Sequence, residues 1–365
     1  MLESLTEFKN RGGNTVVVDT GSHDKTAQVA RDWGCIVEEV GDRFRLTISE
    51  EQAKAINEKF IVNGEEPVVK GGDSLFDFSS ARNYAASLSP TDMIAMPDCD
   101  EMFTKLDIDK INEAIEKGAE QFEYQFVFSH DQFGNPMIAF LHSKFYNRTK
   151  LEWTGIIHEV LRGAANRVYL PEDTIKLEHY QNQETNRTGY LKGLALDCFL
   201  HPDSDRNSHY FAREMMYTKR YHSAIKEFER HVEMKKWLAE RAQSVVYIGE
   251  CYDRLGQENM AVSAWQEAYN MDSSRREPLI RLMQFYFYRG DAPRVVAYGE
   301  AALTIPKGNF YSDNAAHYRE WPHDMLYWAY WKLGNKEKSK EHWQKCLEYQ
   351  PESPKYKADA QFYVA

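Results

Sequence analysis

The chain has 365 residues, about two domains' worth, and its 42% hydrophobic and 28% charged residues suffice for ordinary packed cores. A formal net charge of −11 argues against a nucleic-acid surface, which needs clustered Lys and Arg to neutralise phosphates. Five scattered cysteines (Cys35, Cys99, Cys198, Cys251, Cys346) without a CxxC suggest neither a zinc site nor a disulfide framework. The opening residues MLESLTEFKNRGG lack the apolar core of a signal peptide, and no run is long and apolar enough to span a membrane. A cytoplasmic protein with reduced thiols is the expectation.

The first half reads as mixed α/β. Asn14 to Asp19 is a β-branched run entering a loop, Lys25 to Trp33 a helix with Asp24 or Ser22 as N-cap, and Cys35 to Val40 a second strand. Phe78 to Leu88 is an amphipathic helix, and Met93 to Pro97 an apolar strand that runs into Asp98-Cys99-Asp100-Glu101. This alternation predicts a mainly parallel sheet. Phe122 to Ser129 and Ile138 to Phe145 are strand candidates on either side of a turn at Gly134-Asn135-Pro136. From about Asn186 strand signals stop and helical periodicity takes over. Turns fall at Lys219-Arg220, Leu255-Gly256, Arg289-Gly290 and Leu333-Gly334, and Gly256 to Gly290 spans the 34-residue period of tetratricopeptide repeats. Tyr247, Gly249, Tyr252, Ala261, Ala264, Trp265 and Ala268 are the small and aromatic residues expected where paired helices interlock.

Three constellations could carry chemistry. In VVVDTGSHDKT, Asp19 ends a buried strand, where open α/β sheets bind ligands, and its carboxylate could accept from a base or ribose; a purely loop-forming role is the alternative. In MIAMPDCDE, Asp98 and Asp100 at spacing i, i+2 bring two hard oxygen ligands to the sheet edge, suited to Mg²⁺ or Mn²⁺, unless the triplet is a solvated turn. In WTGIIHEVL, His158 and Glu159 follow Trp153 and Gly155, and an ordinary loop pair is the competing reading.

With FDFSSARNYA (Phe76 to Ala85) added to these three in chain order, the sequence resembles the family-2 glycosyltransferases, most closely the branch that joins a GT-A domain to C-terminal tetratricopeptide repeats. The likeness spans most of residues 14–235. That family opens with a strand and an Asn-Glu pair before a helix similar to Leu2 to Phe8; here the sequence begins inside that helix, so the usual first strand is expected to be lacking. The resemblance implies an α/β GT-A (nucleotide-diphospho-sugar transferase-like) domain over 1–185, followed by an all-α TPR-like domain over 186–365. It further implies a metal-dependent, inverting hexosyltransferase-like enzyme that uses a UDP-type sugar donor and a saccharide or peptide acceptor. Asp19 would lie against the nucleoside, and Asp98 and Asp100 would hold Mn²⁺ or Mg²⁺ on the diphosphate. His179, chosen over His158, would complete the metal shell, and Glu159 would be the base, with His158 orienting it, contacting the acceptor or touching the diphosphate. Arg82 and Asn83 would be donor contacts, with simple helix surface or an internal salt bridge as the alternative, and Trp153 would offer a face for a sugar ring. Lys144 and Arg148 are weaker candidates for the leaving diphosphate, and Asp131 and Asp173 are reserve bases. The alternative is a catalytically degenerate GT-A/TPR scaffold. In either case the repeats would bind a protein partner or a second copy of the chain.

Overall fold

The structure is a computed structural model and describes residues 1–130, 136–180, 188–308, 310–311 and 313–363. Asp131, most of the predicted 134–136 turn and the domain boundary near Asn186 lie outside the described residues. Two compact units are present: Met1–Asn57 with Val68–Leu200, and Glu58–Pro67 with His201–Ala365.

The first unit begins with a short 3₁₀ turn (Leu2–Leu5) and α1 (Thr6–Asn10). It continues through β1 (Val16–Asp19), α2 (Thr26–Trp33), β2 (Ile36–Glu39), β3 (Arg45–Thr47), α3 (Glu50–Phe60), β4 (Ser74–Phe76), α4 (Phe78–Ser87) and β5 (Met93–Ala95). Then follow β6 (Glu101–Leu106), α5 (Ile108–Glu116), β7 (Gln121–His130), β8 (Pro136–Asn147), β9 (Leu151–Thr154), β10 (Val160–Gly163), β11 (Arg167–Tyr169), β12 (Ile175–His179) and α6 (Thr188–Leu200). The last turn of α3 counts with the second unit.

The expectation of a mainly parallel sheet through the first three strands is corrected. β1 and β2 do pair in parallel, with Val16 opposite Ile36, but they stand apart from the main sheet. That sheet has six strands, in the order β5-β8-β7-β12-β6 with β11 beside β7, and its β5–β8, β8–β7 and β12–β6 pairs are antiparallel. The β7–β8 hairpin is long and local, so its pairing costs little loop entropy; three-residue β5 then adds to its edge, with Ile94 opposite Tyr146. Alternation along β7 turns Phe122, Tyr124 and Phe126 into one apolar cluster with Ile175 and Leu177 of β12 and Ile111 of α5. The start of α5 is set by Asp107, whose carboxylate accepts from the Lys110 N–H at 3.2 Å.

The second unit is helical: α7 (Asp205–Tyr217), α8 (Tyr221–Glu233), α9 (Leu238–Arg254), α10 (Glu258–Met271), α11 (Glu277–Tyr288), α12 (Ala292–Leu303), a 3₁₀ turn (Ala315–Tyr318), α13 (Glu320–Lys332), α14 (Lys336–Tyr349) and α15 (Pro354–Asp359). The helices pack in succession, and no strand occurs among the described residues of this unit. The predicted turns are the helix ends: Gly256, Gly290 and Gly334 have φ of 73°, 73° and 78°, left-handed values that glycine adopts without a Cβ clash. Lys219 takes the same conformation at φ 65°, against the preference of a side-chain-bearing residue. Gly249 lets α10 approach α9 closely, for a Cβ there would strike the Trp265 indole. That indole is buried and donates to the Val246 carbonyl at 3.1 Å. Helical grammar starts before the repeats do, because α6 belongs to the first unit: its buried Asp197 accepts from the Ile156 N–H at 2.8 Å.

Between α13 and α14 the Nδ1 atoms of His323 and His342 lie 2.9 Å apart, so one ring must donate to the other. Burial and the neighbouring His342 push the His323 pKa down to about 4. A depressed histidine pKa means that the unfolded chain binds its proton first. The associated stability is therefore complete above about pH 6.5 and falls as the pH drops toward 4. Moving from pH 7 to pH 5 should cost the helical unit about 2 kcal/mol from this residue. Urea unfolding at the two pH values should show a smaller pH difference in His323→Gln than in the parent.

Candidate functional site

Four segments of the first unit converge on the loop after β5. Asp98 and Asp100 lie in the tight connection to β6, closed by the Glu101 N–H donating to the Asp98 carbonyl at 3.0 Å and the Asp98 N–H to Glu101 Oε2 at 2.8 Å. Arg82, on α4, forks between two carboxylates: its Nη2 is 2.6 Å from Asp98 Oδ1 and its Nε 2.6 Å from Glu159 Oε1. Lys144, on β8, places Nζ 2.7 Å from Asp98 Oδ2 and 2.6 Å from Glu101 Oε1. His179 ends β12 opposite Glu101 in register, which sets its Nε2 3.1 Å from Asp100 Oδ2.

The electrostatics follow from these contacts. Burial works against ionising Asp98, but Lys144 and Arg82 outweigh it and hold its pKa at about 2. Glu101 moves the other way, because its burial outweighs the pull of Lys144. Both Asp98 oxygens are engaged by protein cations, one by Arg82 and the other by Lys144. The expected ligand trio is thus only partly assembled, and Asp98 belongs with the cations.

Asp100 and His179 are the residues of this cluster that could hold a divalent ion. His179 Nδ1 lies 3.1 Å from the Phe128 carbonyl, an acceptor that requires Nδ1 to carry the proton. Nε2 then meets the Asp100 carboxylate either as a donor or across a shared cation, the arrangement in which metal-binding imidazoles are commonly held. The Phe128 ring stacks on the imidazole at 5.3 Å and fixes its plane.

The other expected residues have different surroundings. Asp19 is buried at the end of β1, and its Oδ1 accepts from the Gly21 and Ser22 N–H groups at 2.9 and 2.7 Å. Those bonds, led by Ser22, lower its pKa and fix the loop after β1. Trp153 is 4% exposed, carries Arg82 over its ring and donates from Nε1 to the Tyr146 hydroxyl at 2.8 Å. No face is open to a sugar, and the expectation for Trp153 is corrected accordingly. Asn83 clamps the Trp153 backbone, donating to its carbonyl and accepting from its N–H, both at 2.8 Å. Lys144 is buried and Arg148 donates to the Thr91 carbonyl, so neither projects toward a leaving group. Asp173 is exposed and paired with Lys110.

Glu159 sits just before β10 on a loop whose Gly155 has φ 99° and whose His158 has φ 54°. For histidine the left-handed conformation stores strain of order 1 kcal/mol. The loop is held by Asp197 from α6 and by the Phe78 N–H donating to the Ile156 carbonyl at 3.2 Å. The His158 ring rests on Tyr190. Glu159 Oε1 is held by Arg82, and no described residue hydrogen-bonds Oε2.

Sequence reasoning missed Glu101 as the buried partner of Lys144, although the third carboxylate of Asp98-Cys99-Asp100-Glu101 was the available signal. It also missed Glu178. That carboxylate gathers Thr104, Lys176 and Tyr180 at 3.1 Å and His130 at 3.0 Å, a network with no contiguous motif.

Residues 328–353 match the family model of a tetratricopeptide repeat. No curated protein matches the chain. Among solved structures, one of MamA is 15% identical over 48% of this chain and 99% of that one, with a TM-score of 0.37. YrrB, described as a TPR protein with an unusual peptide-binding site, is 14% identical over 47% of this chain and 81% of that one, with a TM-score of 0.35. PilW, a type IV pilus biogenesis factor, is 11% identical over 48% and 75%, with a TM-score of 0.39.

Proposed function

We propose that the chain is a tetratricopeptide-type scaffold for a protein partner and that its N-terminal unit carries a metal-assisted site for a nucleotide-diphosphate sugar. The scaffold part is supported by the repeat match at 328–353 and by successive helical hairpins, which present extended binding faces. The transfer part is supported by one observation. Arg82, Asp98, Asp100, Glu159 and His179, drawn from four separate segments, meet through the Asp98–Arg82–Glu159 bridge and the Asp100–His179 pair.

In this reading Asp100 and His179 hold Mn²⁺ or Mg²⁺, which supplies charge neutralisation for a departing diphosphate. Arg82 fixes Oε1 of Glu159 and leaves Oε2 to take the proton of an acceptor hydroxyl. A second reading keeps the scaffold and drops the transfer. It is favoured by the internal neutralisation of Asp98, both of whose oxygens are already engaged by protein cations.

A panel of nucleotide sugars with Mn²⁺, assayed for nucleotide release, separates the two. Release of UDP or another nucleotide supports transfer, whereas no release and no calorimetric donor binding leave the scaffold alone. Asp100→Ala should abolish the Mn²⁺-dependent part of donor binding by calorimetry; equal affinity in parent and variant with metal present would reject Asp100 as a ligand.

A further inference from the structure

The starts of α7 and α9 and the last turn of α8 bring together Asp205, Glu240 and His231, whose ligand atoms all lie within 4.8 Å of one another. Carboxylates in the first turn of a helix are favoured by its dipole, which accounts for Asp205 and Glu240 without any ligand. It does not account for His231. That side chain has no exposed surface, and its Nε2 has no hydrogen-bond partner.

The bonding on the other side of the ring makes this sharper. His231 Nδ1 is 2.9 Å from Ser244 Oγ, and the same Oγ is 2.7 Å from His209 Nδ1. A hydroxyl has one proton, so it can donate to at most one of the two rings, and His231 Nδ1 either donates to Oγ or accepts from it. When His231 donates, its Nε2 is a bare lone pair directed at carboxylates. When it accepts, its Nε2–H lies 3.8 Å from Glu240 Oε2, beyond hydrogen-bond length. Neither state satisfies the atom.

We propose that Asp205, His231 and Glu240 bind a transition-metal dication of the Zn²⁺ kind, which ties α7, α8 and α9 together. Imidazole with two carboxylates is a ligand set such ions accept, at about 2.0–2.2 Å from each atom. Two carboxylates and a dication sum to zero, which removes the cost of leaving buried Glu240 and half-buried Asp205 beside an unpaired ring. Ser244 holds the ring and Tyr311 donates to Glu240 Oε1 at 2.6 Å, as outer-shell partners of metal ligands do. Of the nearby arginines, Arg230 pairs with Glu227, Arg241 donates to the Val232 carbonyl, and Arg206 and Arg213 lie over the Tyr210 ring, from where their charges reach Glu240.

The test uses the full chain carrying Asp100→Ala, to silence the N-terminal pair, after treatment with a chelator. Calorimetry with Zn²⁺ should show one ion per chain, Co²⁺ should give a visible d–d absorption, and Zn²⁺ should raise the Tm. Added Asp205→Asn or Glu240→Gln should weaken Zn²⁺ by roughly tenfold or more and remove the Tm shift, with the helical circular dichroism retained. Absence of Zn²⁺ binding, or unchanged affinity in the folded variants, overturns the site. Should Glu240→Gln fail to fold, the half-buried Asp205→Asn decides alone.

Discussion

Under the proposed transfer reaction, Glu159→Gln should lower nucleotide-sugar turnover by roughly 10²- to 10⁴-fold, the usual contribution of a general base, with donor binding in Mn²⁺ nearly unchanged. The amide keeps the size of the side chain and an oxygen for Arg82, so the bridge to α4 can persist with one partner uncharged. It can no longer take a proton at the atom corresponding to Oε2, the oxygen that no described residue engages. The strained His158 and left-handed Gly155 hold the loop in the geometry that offers this carboxylate, and Asp197 anchors it from α6. Steady-state rates at saturating donor, beside calorimetric donor affinity, separate the roles. Lost affinity with preserved turnover would make Glu159 a binding residue and move the base elsewhere.

Lys144→Met should destabilise the first unit by about 3–5 kcal/mol, the range found when one member of a buried ion pair is removed. Lys144 and Glu101 side chains are 6% and 3% exposed, so water cannot replace the lost partner of Glu101. Asp98 is better hydrated and keeps Arg82, so the larger share of the loss falls on Glu101. The pH dependence has a definite sign. In the parent, the depressed Asp98 pKa contributes stability that is present above about pH 4 and lost as the pH falls toward 2. In the variant, Glu101 lies buried without its cation and takes up a proton more readily than in the parent. The penalty should then be greatest at neutral pH and shrink on acidification. Urea unfolding of parent and variant at pH 7 and pH 5 measures both effects; a loss below about 1 kcal/mol at pH 7 would show that water already screens this cluster.

Local chemistry was legible in the amino-acid order. The left-handed turns at Gly256, Gly290 and Gly334 could be read because a helix ends where only glycine avoids a Cβ clash, a matter of neighbouring residues. The strands at β1, β2, β5, β7 and β8 and the helices α2 and α4 follow from periodicities that span a few residues. The candidate residues Asp98, Asp100 and Glu159 were nameable from motifs and His179 from the family resemblance, and an internal salt bridge was one of the alternatives for Arg82.

Which groups meet was decided by the tertiary structure. Arg82 reaches Asp98 across 16 residues and Glu159 across 77, and Lys144 reaches back 46 residues to Asp98, separations at which periodicity carries no information. Trp153 was read as an open ring face, but burial against Tyr146 and Arg82 is a property of its neighbours and not of its own motif. The place of β5 in the sheet rests on pairing Ile94 with Tyr146, residues far apart in the chain that no local pattern links. The same holds in the helical unit, where Glu65 accepts from the first N–H groups of α8, those of His222 and Ser223, at 2.9 and 3.1 Å. No pattern near residue 65 marks it as that helix's cap, because the unpaired N–H groups it satisfies lie more than 150 residues further along the chain.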